Sequence, residues 1–148
     1  MSIPDWDDYF MQIAKVVSTK SKDCSTKVGS VVVNQFNNIV ATGFNGCCRG
    51  IDDTVGGRYQ HPDKMFFVEH SETNALHAAA RIGIPLDGAS IYTTKYPCSN
   101  CARAIIQCGL RKVITYPSDI TNKLWNEHAI HSEQMFSETN VEVKLMTM

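Results

Sequence analysis

Two β-branched runs near the N-terminus predict a β-hairpin, which constrains how the rest of the chain can fold. The runs VGSVVV (28–33) and IVATGF (39–44) flank the polar segment NQFNN. Such runs on either side of a short polar turn are typical of antiparallel strand pairs. Helical and strand patterns alternate further along the chain, and this alternation predicts a mixed sheet with helices on both faces.

The remaining elements follow from apolar periodicity and from glycine or proline at the helix ends. Helices are expected at 5–20, 70–82, 98–108 and 122–131. Strands are expected at 89–94, 112–116 and 141–146. Residues 45–64 have no period and indicate a long loop, and long loops inside compact domains are usually functional or mobile. The length of 148 residues, without repeats or linkers, predicts one domain over 1–148.

Composition argues against several classes of protein. The formal net charge is -1, so the chain lacks the basic excess that is typical of nucleic-acid-binding domains. No apolar stretch approaches the length of a membrane helix, and residues 1–10 do not resemble a signal peptide. We therefore expect a cytoplasmic protein without nucleic-acid or membrane partners. In a reducing compartment, its six cysteines suit metal binding or chemistry better than disulfides.

Two cysteines and one histidine stand at the starts of predicted helices. Cys98 and Cys101 are three residues apart, so both thiols fall on one helix face near the positive end of the helix dipole, which favours thiolates. His70 opens another helix and can supply an imidazole. Two thiolates and one imidazole suit Zn²⁺, and a set of three protein ligands leaves the fourth position open, as in catalytic sites.

Glu72 is the candidate catalytic residue. Residues two apart do not share a helix face, so Glu72 need not bind the metal when His70 does. It can take a proton from water and pass it to a substrate ring nitrogen. It can later protonate the departing ammonia. The motifs HSE (70–72) and PCSNC (97–101) also match the H-x-E…P-C-x-x-C signature of zinc nucleobase deaminases.

Each of these residues has a simpler interpretation when it is taken singly. Cys98 and Cys101 could be core thiols or a redox pair. His70 could cap its helix or lie in the core, and Glu72 could complement the helix dipole. A structural zinc module that binds partners is a further alternative, but it needs a fourth protein ligand and no free acid beside the metal. The combination of all four at this order and spacing favours the catalytic interpretation.

The chain resembles the deoxycytidylate (dCMP) deaminases, within the cytidine deaminase fold, over nearly its whole length. The similar segments are STKSKDCSTKVGS (18–30), ATGFNGCCRGIDD (41–53) and YPCSNCARAIIQCGLRKVITY (96–116). The GFNG stretch separates this branch from the tRNA adenosine deaminases, which usually lack it. The resemblance implies a three-layer α/β/α fold with a mixed five-stranded sheet. It also implies zinc-dependent hydrolysis of dCMP to dUMP, which supplies dUMP for thymidylate synthesis.

The same resemblance implies a set of substrate contacts. It places Asn45 near the sugar and base, and it assigns pocket or phosphate contacts to four further polar side chains. These are Ser25, Thr26, Lys27 and Tyr116. A monophosphate requires hydroxyl or cationic donors, although Lys27 could be a solvated lysine and Tyr116 a core tyrosine. Ser71 replaces the usual alanine between the histidine and the glutamate and keeps its backbone N–H available to the substrate.

Many dCMP deaminases are hexamers that dCTP activates and that dTTP inhibits with Mg²⁺. The resemblance therefore implies a homo-oligomer, hexameric by analogy, whose ligands are dCMP, dUMP, dCTP and dTTP. The regulatory triphosphate is expected at the glycine-rich loop after GFNG. Its candidate residues are Gly46, Cys48, Arg49, Gly50 and Asp53. Glycines allow a backbone to approach phosphate, Arg49 can pair with phosphate oxygens, and Asp53 can face a sugar hydroxyl or Mg²⁺.

This region departs from the family pattern in two ways. Cys48 replaces the usual proline, which alters the rigidity of the loop. Some dCMP deaminases hold a second, structural zinc in a longer insert, but Asp23 stands here where one of its cysteine ligands would be. Cys24, Cys47, Cys48 and His61 are conceivable ligands for such a zinc, and we expect free thiols instead.

Two other deaminase classes are alternatives to a dCMP deaminase. A nucleic-acid deaminase needs a basic groove with stacking aromatic side chains. The near-neutral net charge argues against that class. A free-nucleoside deaminase needs no phosphate donors, so a comparison of dCMP with deoxycytidine as substrates discriminates it.

Overall fold

The structure, a computed structural model, describes residues 2–148. Helices and strands alternate through most of that range. In chain order the elements are α1 (Trp6–Ser18), β1 (Gly29–Val33), β2 (Ile39–Phe44), β3 (Gly46–Cys47), α2 (Lys64–Phe67), β4 (Val68–Glu69), α3 (Ser71–Arg81), β5 (Ser90–Thr93), α4 (Ser99–Gln107), β6 (Lys112–Thr115), α5 (Lys123–Glu138) and β7 (Glu142–Leu145).

Five strands form one mixed sheet in the order β2-β1-β5-β6-β7. The predicted hairpin of β1 and β2 is confirmed, and β1 also pairs antiparallel with β5. The strands β5, β6 and β7 run parallel to one another. The short strands β3 and β4 form a separate ladder that pairs Gly46 with Glu69 and so leads the chain into α3.

The sheet lies between two layers of helices, and this confirms the predicted three-layer α/β/α fold. Successive side chains of a strand point to opposite faces, so Val31 and Val32 belong to different cores. On one face α1 packs its buried apolar side chains against the sheet. On the other face α3, α4 and α5 contribute Ala75, Leu76, Ala79, Ala102, Ile105 and Phe136. Within residues 2–148, no helix has both the length and the apolar character that crossing a bilayer requires.

Two glycines allow helices to contact the strand backbone directly. A Cβ on Gly29 would lie 2.0 Å from the carbonyl oxygen of Ala14 in α1. A Cβ on Gly43 would lie 2.3 Å from the backbone nitrogen of Ala75 and 2.4 Å from the carbonyl oxygen of Ser71, both in α3. Neither distance leaves room for a side chain, so the position of each helix over the sheet depends on the glycine beneath it.

Two predicted segments differ from the structure. The helix predicted at 122–131 extends to Glu138, because the buried side chains of Ser132 and Phe136 continue its inner face. The loop predicted at 45–64 is irregular for most of its length but contains the short strand β3, and the helix α2 begins at its last residue. Such short elements have too few residues to show a period in the sequence.

Candidate functional site

The start of α3 carries His70 and Glu72, the histidine and the glutamate of the HSE motif. His70 is the N-cap residue, with an extended backbone (φ -76°, ψ 155°), and its side chain makes no capping hydrogen bond. The imidazole is therefore free to face a neighbouring element. Glu72 lies inside the helix and is buried, with 4% of its surface exposed. The motif thus places one side chain outside the helix and the other within its first turn.

The first turn of α4 carries the two cysteines in a similar arrangement. Cys98 is the N-cap residue and Cys101 lies in the first turn, and both side chains are buried. The two sulfur atoms lie 3.3 Å and 3.4 Å from Nδ1 of His70. The three donor atoms lie within 4.8 Å of one another. The structure therefore brings together the predicted ligands from two helix N-termini.

The donor set fits a zinc ion. Two sulfurs and one imidazole nitrogen are ligands that Zn²⁺ prefers, and three protein ligands are typical of catalytic zinc sites with one open position. Within residues 2–148, these three residues are the only group of His, Cys, Asp and Glu donors that could hold a metal ion. The conceivable ligands of a second zinc, which are Cys24, Cys47, Cys48 and His61, do not form such a group, and the cysteines among them are free.

The charges of these side chains are coupled. A hydrogen bond from the Cys101 thiol lowers the pKa of Cys98 to about 3, against the effect of burial, and His70 contributes in the same direction. That hydrogen bond, together with burial and the nearby Glu72, raises the pKa of Cys101. The hydrogen bond with Cys98 raises the pKa of His70. Zinc binding requires thiolates and a neutral imidazole, so it acts against the upward pKa shifts of Cys101 and His70.

Glu72 stands directly beside the three donor side chains. Its Oε2 accepts a hydrogen bond from the Cys101 thiol at 3.7 Å and another from the Ser71 hydroxyl at 3.1 Å. The Ser71 hydroxyl also contacts that of Ser30 on β1 at 2.8 Å. Burial raises the pKa of Glu72. A carboxylate held in this way is placed to exchange protons with a molecule in the open position.

A cavity of about 390 Å³ opens onto this group. Its walls come from the 25–28 loop, α2, the segment before α4 and the first turns of α5. The predicted substrate residues Ser25, Thr26, Asn45 and Ser71 line it. A second depression, of about 430 Å³, lies between α4 and α5 and contains none of the candidate metal ligands.

The buried carboxylate of Asp23 organises the loop that forms one wall of the cavity. Its Oδ1 accepts hydrogen bonds from the backbone N–H of Ser25 at 2.9 Å, from the Ser25 hydroxyl at 2.8 Å and from the N–H of Thr26 at 3.2 Å. Its Oδ2 pairs with the ammonium group of Lys64. The sequence indicated only that Asp23 stands where some relatives have a zinc-binding cysteine. In the structure, Asp23 orders the loop that carries two predicted substrate contacts, Ser25 and Thr26.

The side chain of Asn45 supports the same loop. Its Nδ2 donates to the carbonyl oxygen of Thr26 at 2.8 Å, and its Oδ1 accepts from the N–H of Val28 at 2.8 Å. Asn45 is therefore a brace between β2 and the loop as well as part of the cavity wall. One lone pair of Oδ1 remains for a ligand.

Two residues that were expected to contact substrate lie outside the cavity lining. The ammonium group of Lys27 donates to the backbone carbonyl of Ser21. Tyr116 is buried in the core beneath α1, with Lys15 over its ring. The sequence shows a lysine beside two hydroxyl residues and a tyrosine at a strand end, and neither pattern indicates which way the side chain points.

Several cavity residues were missed by the sequence analysis. These are Lys64, Lys95, Trp125 and His128. Lys95 lies two residues before the proline of the PCSNC motif, and this closeness to the motif could have identified it as a cavity residue. The other three belong to α2 and α5. Tertiary packing brings these helices against the cavity, and the local sequence does not predict such packing.

The loop that was expected to bind a regulatory triphosphate is largely exposed. Cys48, Arg49 and Gly50 are exposed, and Gly50 has a positive φ of 88°. Gly46 lies within β3, close to the hydroxyl group of Tyr59. Asp53 pairs with Lys22 at 2.7 Å. The loop thus lies on the surface, with Gly46 at the edge that leads to the cavity.

The amino-acid sequence matches a known protein family over residues 4–117. The family is described as the cytidine and deoxycytidylate deaminase zinc-binding region. A deaminase of Aliivibrio fischeri is 39% identical over 143 residues, which cover 95% of this chain and 93% of that protein. The deoxycytidylate deaminase of Homo sapiens is 36% identical over 115 residues, which cover 74% of this chain. The match spans 64% of the length of the human protein.

A solved structure has the same fold over almost the whole chain. It is the dCMP deaminase of the cyanophage S-TIM5 in complex with dCMP and dUMP, with a TM-score of 0.78 and 28% sequence identity. The superposition covers 99% of this chain and 100% of that chain. The fold described above therefore matches that of a solved dCMP deaminase.

Replacement of either cysteine by serine is expected to remove bound zinc. A serine hydroxyl is a much poorer zinc ligand than a thiolate, and two remaining protein ligands hold the ion weakly. Elemental analysis should find one zinc per chain in the wild type and almost none in Cys98→Ser or Cys101→Ser. Cys108→Ser is the matched control, because Cys108 lies outside the donor group. Full zinc occupancy in both ligand variants would contradict this assignment.

The Asp23–Lys64 pair is expected to stabilise the fold more than the exposed Asp53–Lys22 pair. Asp23→Asn leaves the largely buried ammonium of Lys64 without a partner, and we expect a loss of about 2 kcal/mol in the free energy of unfolding. Asp53→Asn affects a pair whose lysine side chain is 63% exposed, so the loss should be at most about 1 kcal/mol. Urea unfolding of the zinc-loaded proteins at pH 7 measures both.

The effect of Asp23→Asn should also depend on pH. Burial raises the pKa of Asp23, but hydrogen bonds from Lys64, Ser25 and Thr26 lower it overall below 3.8. A lowered pKa means that the stabilisation is present above the unfolded pKa and is lost as pH falls through the folded pKa. The difference between the wild type and Asp23→Asn should therefore shrink below pH 3.8. A difference that grows in acid would be inconsistent with an ionised Asp23.

Proposed function

The chain belongs to the cytidine and deoxycytidylate deaminase zinc-binding family, and we propose that it catalyses the hydrolysis of dCMP to dUMP and ammonia. The observation that carries the proposal is the buried carboxylate of Glu72, whose Oε2 lies 3.7 Å from Cys101 at the base of a cavity. A structural zinc site has no use for an acid in this position. The similarity to deoxycytidylate deaminases supports dCMP as the substrate.

In this proposal His70, Cys98 and Cys101 hold the zinc. Bound zinc supplies the Lewis acidity that makes water a nucleophile near neutral pH. Glu72 accepts a proton from the water that adds to C4 of the cytosine and delivers it to the ring nitrogen N3. It then transfers the second water proton to the amino group as the C4–N bond breaks, so that ammonia leaves and uracil remains.

Residues around the cavity then hold the nucleotide. The N–H of Ser71 lies in the first turn of α3, where backbone donors have no partner within the helix, and it can bind an oxygen of the base. Asn45 has a free lone pair for the sugar, and Thr26 can donate its hydroxyl to the phosphate, while Ser25 borders the same part of the cavity with its hydroxyl donated to Asp23. We assign no substrate contact to Lys27 or Tyr116, because both side chains are engaged elsewhere.

The wider role follows the similarity to deoxycytidylate deaminases. The dUMP product would supply thymidylate synthesis in a reducing compartment, the cytoplasm, where the exposed thiols of Cys24 and Cys48 stay free. The chain would act as a hexamer that dCTP activates and that dTTP inhibits with Mg²⁺. The regulatory site would be the exposed loop 46–53, where the Arg49 guanidinium meets phosphate and Asp53 exchanges Lys22 for Mg²⁺ or a sugar hydroxyl.

An ammonia-release assay tests the proposed substrate. Its substrates are dCMP, CMP, deoxycytidine, dCTP and single-stranded DNA. We expect dCMP to have the highest kcat/KM, because the phosphate contributes binding energy that can be used in the transition state. Equal kcat/KM for deoxycytidine would favour a nucleoside deaminase, and preference for DNA would favour a nucleic-acid deaminase.

Glu72→Gln is expected to abolish turnover while zinc remains bound. The amide cannot accept the proton from water, and loss of a general acid–base group typically lowers kcat by about 100- to 10,000-fold. The measurements are kcat for dCMP and zinc content by elemental analysis. Glu133→Gln on the exposed surface of α5 is the matched control and should match the wild type. Normal turnover in Glu72→Gln would remove the basis of the proposed mechanism.

Arg49→Ala is expected to weaken regulation without changing unregulated turnover, because Arg49 is exposed and lies outside the cavity lining. Coupling between two sites typically changes affinity by roughly 5- to 150-fold. The measurement is dCMP turnover titrated with dCTP or dTTP in the presence of Mg²⁺, with Arg81→Ala as the control. Flat wild-type curves for both triphosphates, in an oligomer shown to be intact by light scattering, would exclude regulation at this loop.

A further inference from the structure

The two lysines that line the cavity differ in how their charge is compensated. The ammonium group of Lys64 pairs with Asp23 and lies 3.2 Å from the hydroxyl of Ser25. Within the part of the chain that the structure describes, no carboxylate lies within ion-pair distance of the Lys95 ammonium. Lys95 therefore brings an uncompensated positive charge into the cavity wall.

An aromatic ring holds the Lys95 ammonium in place. Its Nζ lies 3.7 Å from the centroid of the Trp125 ring, within the range of a cation–π interaction. This interaction fixes the position of the ammonium without occupying its N–H donors. The Trp125 ring also lies 6.3 Å from the ring of His70, so the charge is held on the same wall as a candidate metal ligand.

A ligand with negative charge would compensate this cation. Lys95 is half-buried, and burial lowers its pKa because the charged form loses hydration. The nearby Glu72 offsets part of this loss, whereas Lys64 adds to it. A partly desolvated ammonium is unfavourable on its own and becomes favourable when it meets a phosphate oxygen.

A hydroxyl group on the facing loop adds a second donor for a phosphate. Thr26 lines the same cavity, and the hydrogen bonds that Asp23 accepts from Ser25 and Thr26 hold the loop in one turn, with the Ser25 hydroxyl donating to Asp23 and that of Thr26 left for a ligand. Phosphate sites commonly combine a cation with hydroxyl and backbone donors from different segments. Lys27 does not line this cavity, and its ammonium turns to the backbone carbonyl of Ser21.

We propose that Lys95 binds the phosphate monoester of the substrate and is the residue that distinguishes nucleotide from nucleoside. This inference rests on the proposed function and specifies which cation recognises the phosphate. Trp125 is the positioning residue, because it holds the ammonium at the cavity wall without consuming its hydrogen-bond donors. The role is one of specificity, so loss of Lys95 should affect ligands with a phosphate and spare those without one.

The test compares the binding of dUMP and deoxyuridine to zinc-loaded protein. Both are products, so no turnover occurs during the titration. Isothermal titration calorimetry measures dUMP directly and deoxyuridine by competition with dUMP. The proteins are the wild type, Lys95→Met, Lys95→Arg and Lys20→Met. Lys20 is an exposed lysine outside the cavity and serves as the matched control. Lys95→Gln is a second neutral variant in case methionine disturbs the Trp125 wall.

Lys95→Met and Lys95→Gln should weaken dUMP binding by roughly 10- to 100-fold, which is the range for a charge-assisted hydrogen bond, and leave deoxyuridine binding unchanged. Lys95→Arg should retain most of the dUMP affinity, and Lys20→Met should retain all of it. Unchanged dUMP binding in both neutral variants would overturn the proposal. Equal weakening of both ligands would also overturn it, because Lys95 would then only support the cavity wall.

The proposed function is tested separately, because the binding comparison needs no turnover. A wild-type protein that releases no ammonia from dCMP would contradict dCMP deamination, while the titrations would still decide the role of Lys95. Conversely, an active enzyme whose dUMP affinity does not depend on Lys95 would retain its function and lose this phosphate contact.

Discussion

The close contact of α3 with β2 at Gly43 sets the position of the catalytic group. No Cβ fits at this residue, since it would lie 2.4 Å from the carbonyl oxygen of Ser71. In the sheet, Gly43 is the partner of Ser30 on β1. The absence of a side chain at Gly43 therefore lets the first turn of α3 approach both strands, and it brings the Ser71 hydroxyl to 2.8 Å from that of Ser30. Ser71 in turn donates to the Glu72 carboxylate, so the position of Glu72 depends on this contact between helix and sheet.

The meeting of two helix N-termini explains why acidic and thiol groups can be buried together. The first turns of α3 and α4 both point their unpaired N–H groups and positive dipole ends toward the same space. Such a field favours anionic side chains such as the Glu72 carboxylate. For Cys98, hydrogen bonds with the Cys101 thiol and His70 lower the pKa, and the backbone N–H of Cys101 in the first turn of α4 adds to this effect. The chemistry thus depends on the rigid ends of two helices, and the sheet between them fixes their separation.

The sequence predicted these elements and ligands and was less informative about the directions of individual side chains. The hairpin, the order of the elements and the ligands His70, Cys98 and Cys101 follow from periodicity and motif spacing, because each is encoded by neighbouring residues. The resemblance to dCMP deaminases placed Lys27 and Tyr116 at the substrate, whereas the structure gives Lys27 a backbone partner and buries Tyr116 beneath α1. The direction of a side chain depends on contacts between segments far apart in the chain, and a single sequence does not contain that information.

Different contacts hold the two sides of the cavity in place, the side of Glu72 and the side of the 25–28 loop. The Glu72 carboxylate accepts hydrogen bonds from Ser71 in α3 and from Cys101 in α4, and both end on Oε2. The facing wall is a loop held by the single buried carboxylate of Asp23, together with the amide of Asn45. Because different hydrogen bonds hold Glu72 and the loop, a change in the loop can alter how a nucleotide is held while the geometry around Glu72 stays the same. The fold thus allows substrate preference to vary while the arrangement of Glu72 and the candidate metal ligands stays constant. Lys95 lies between the two sides of the cavity, in the segment that leads from β5 into α4.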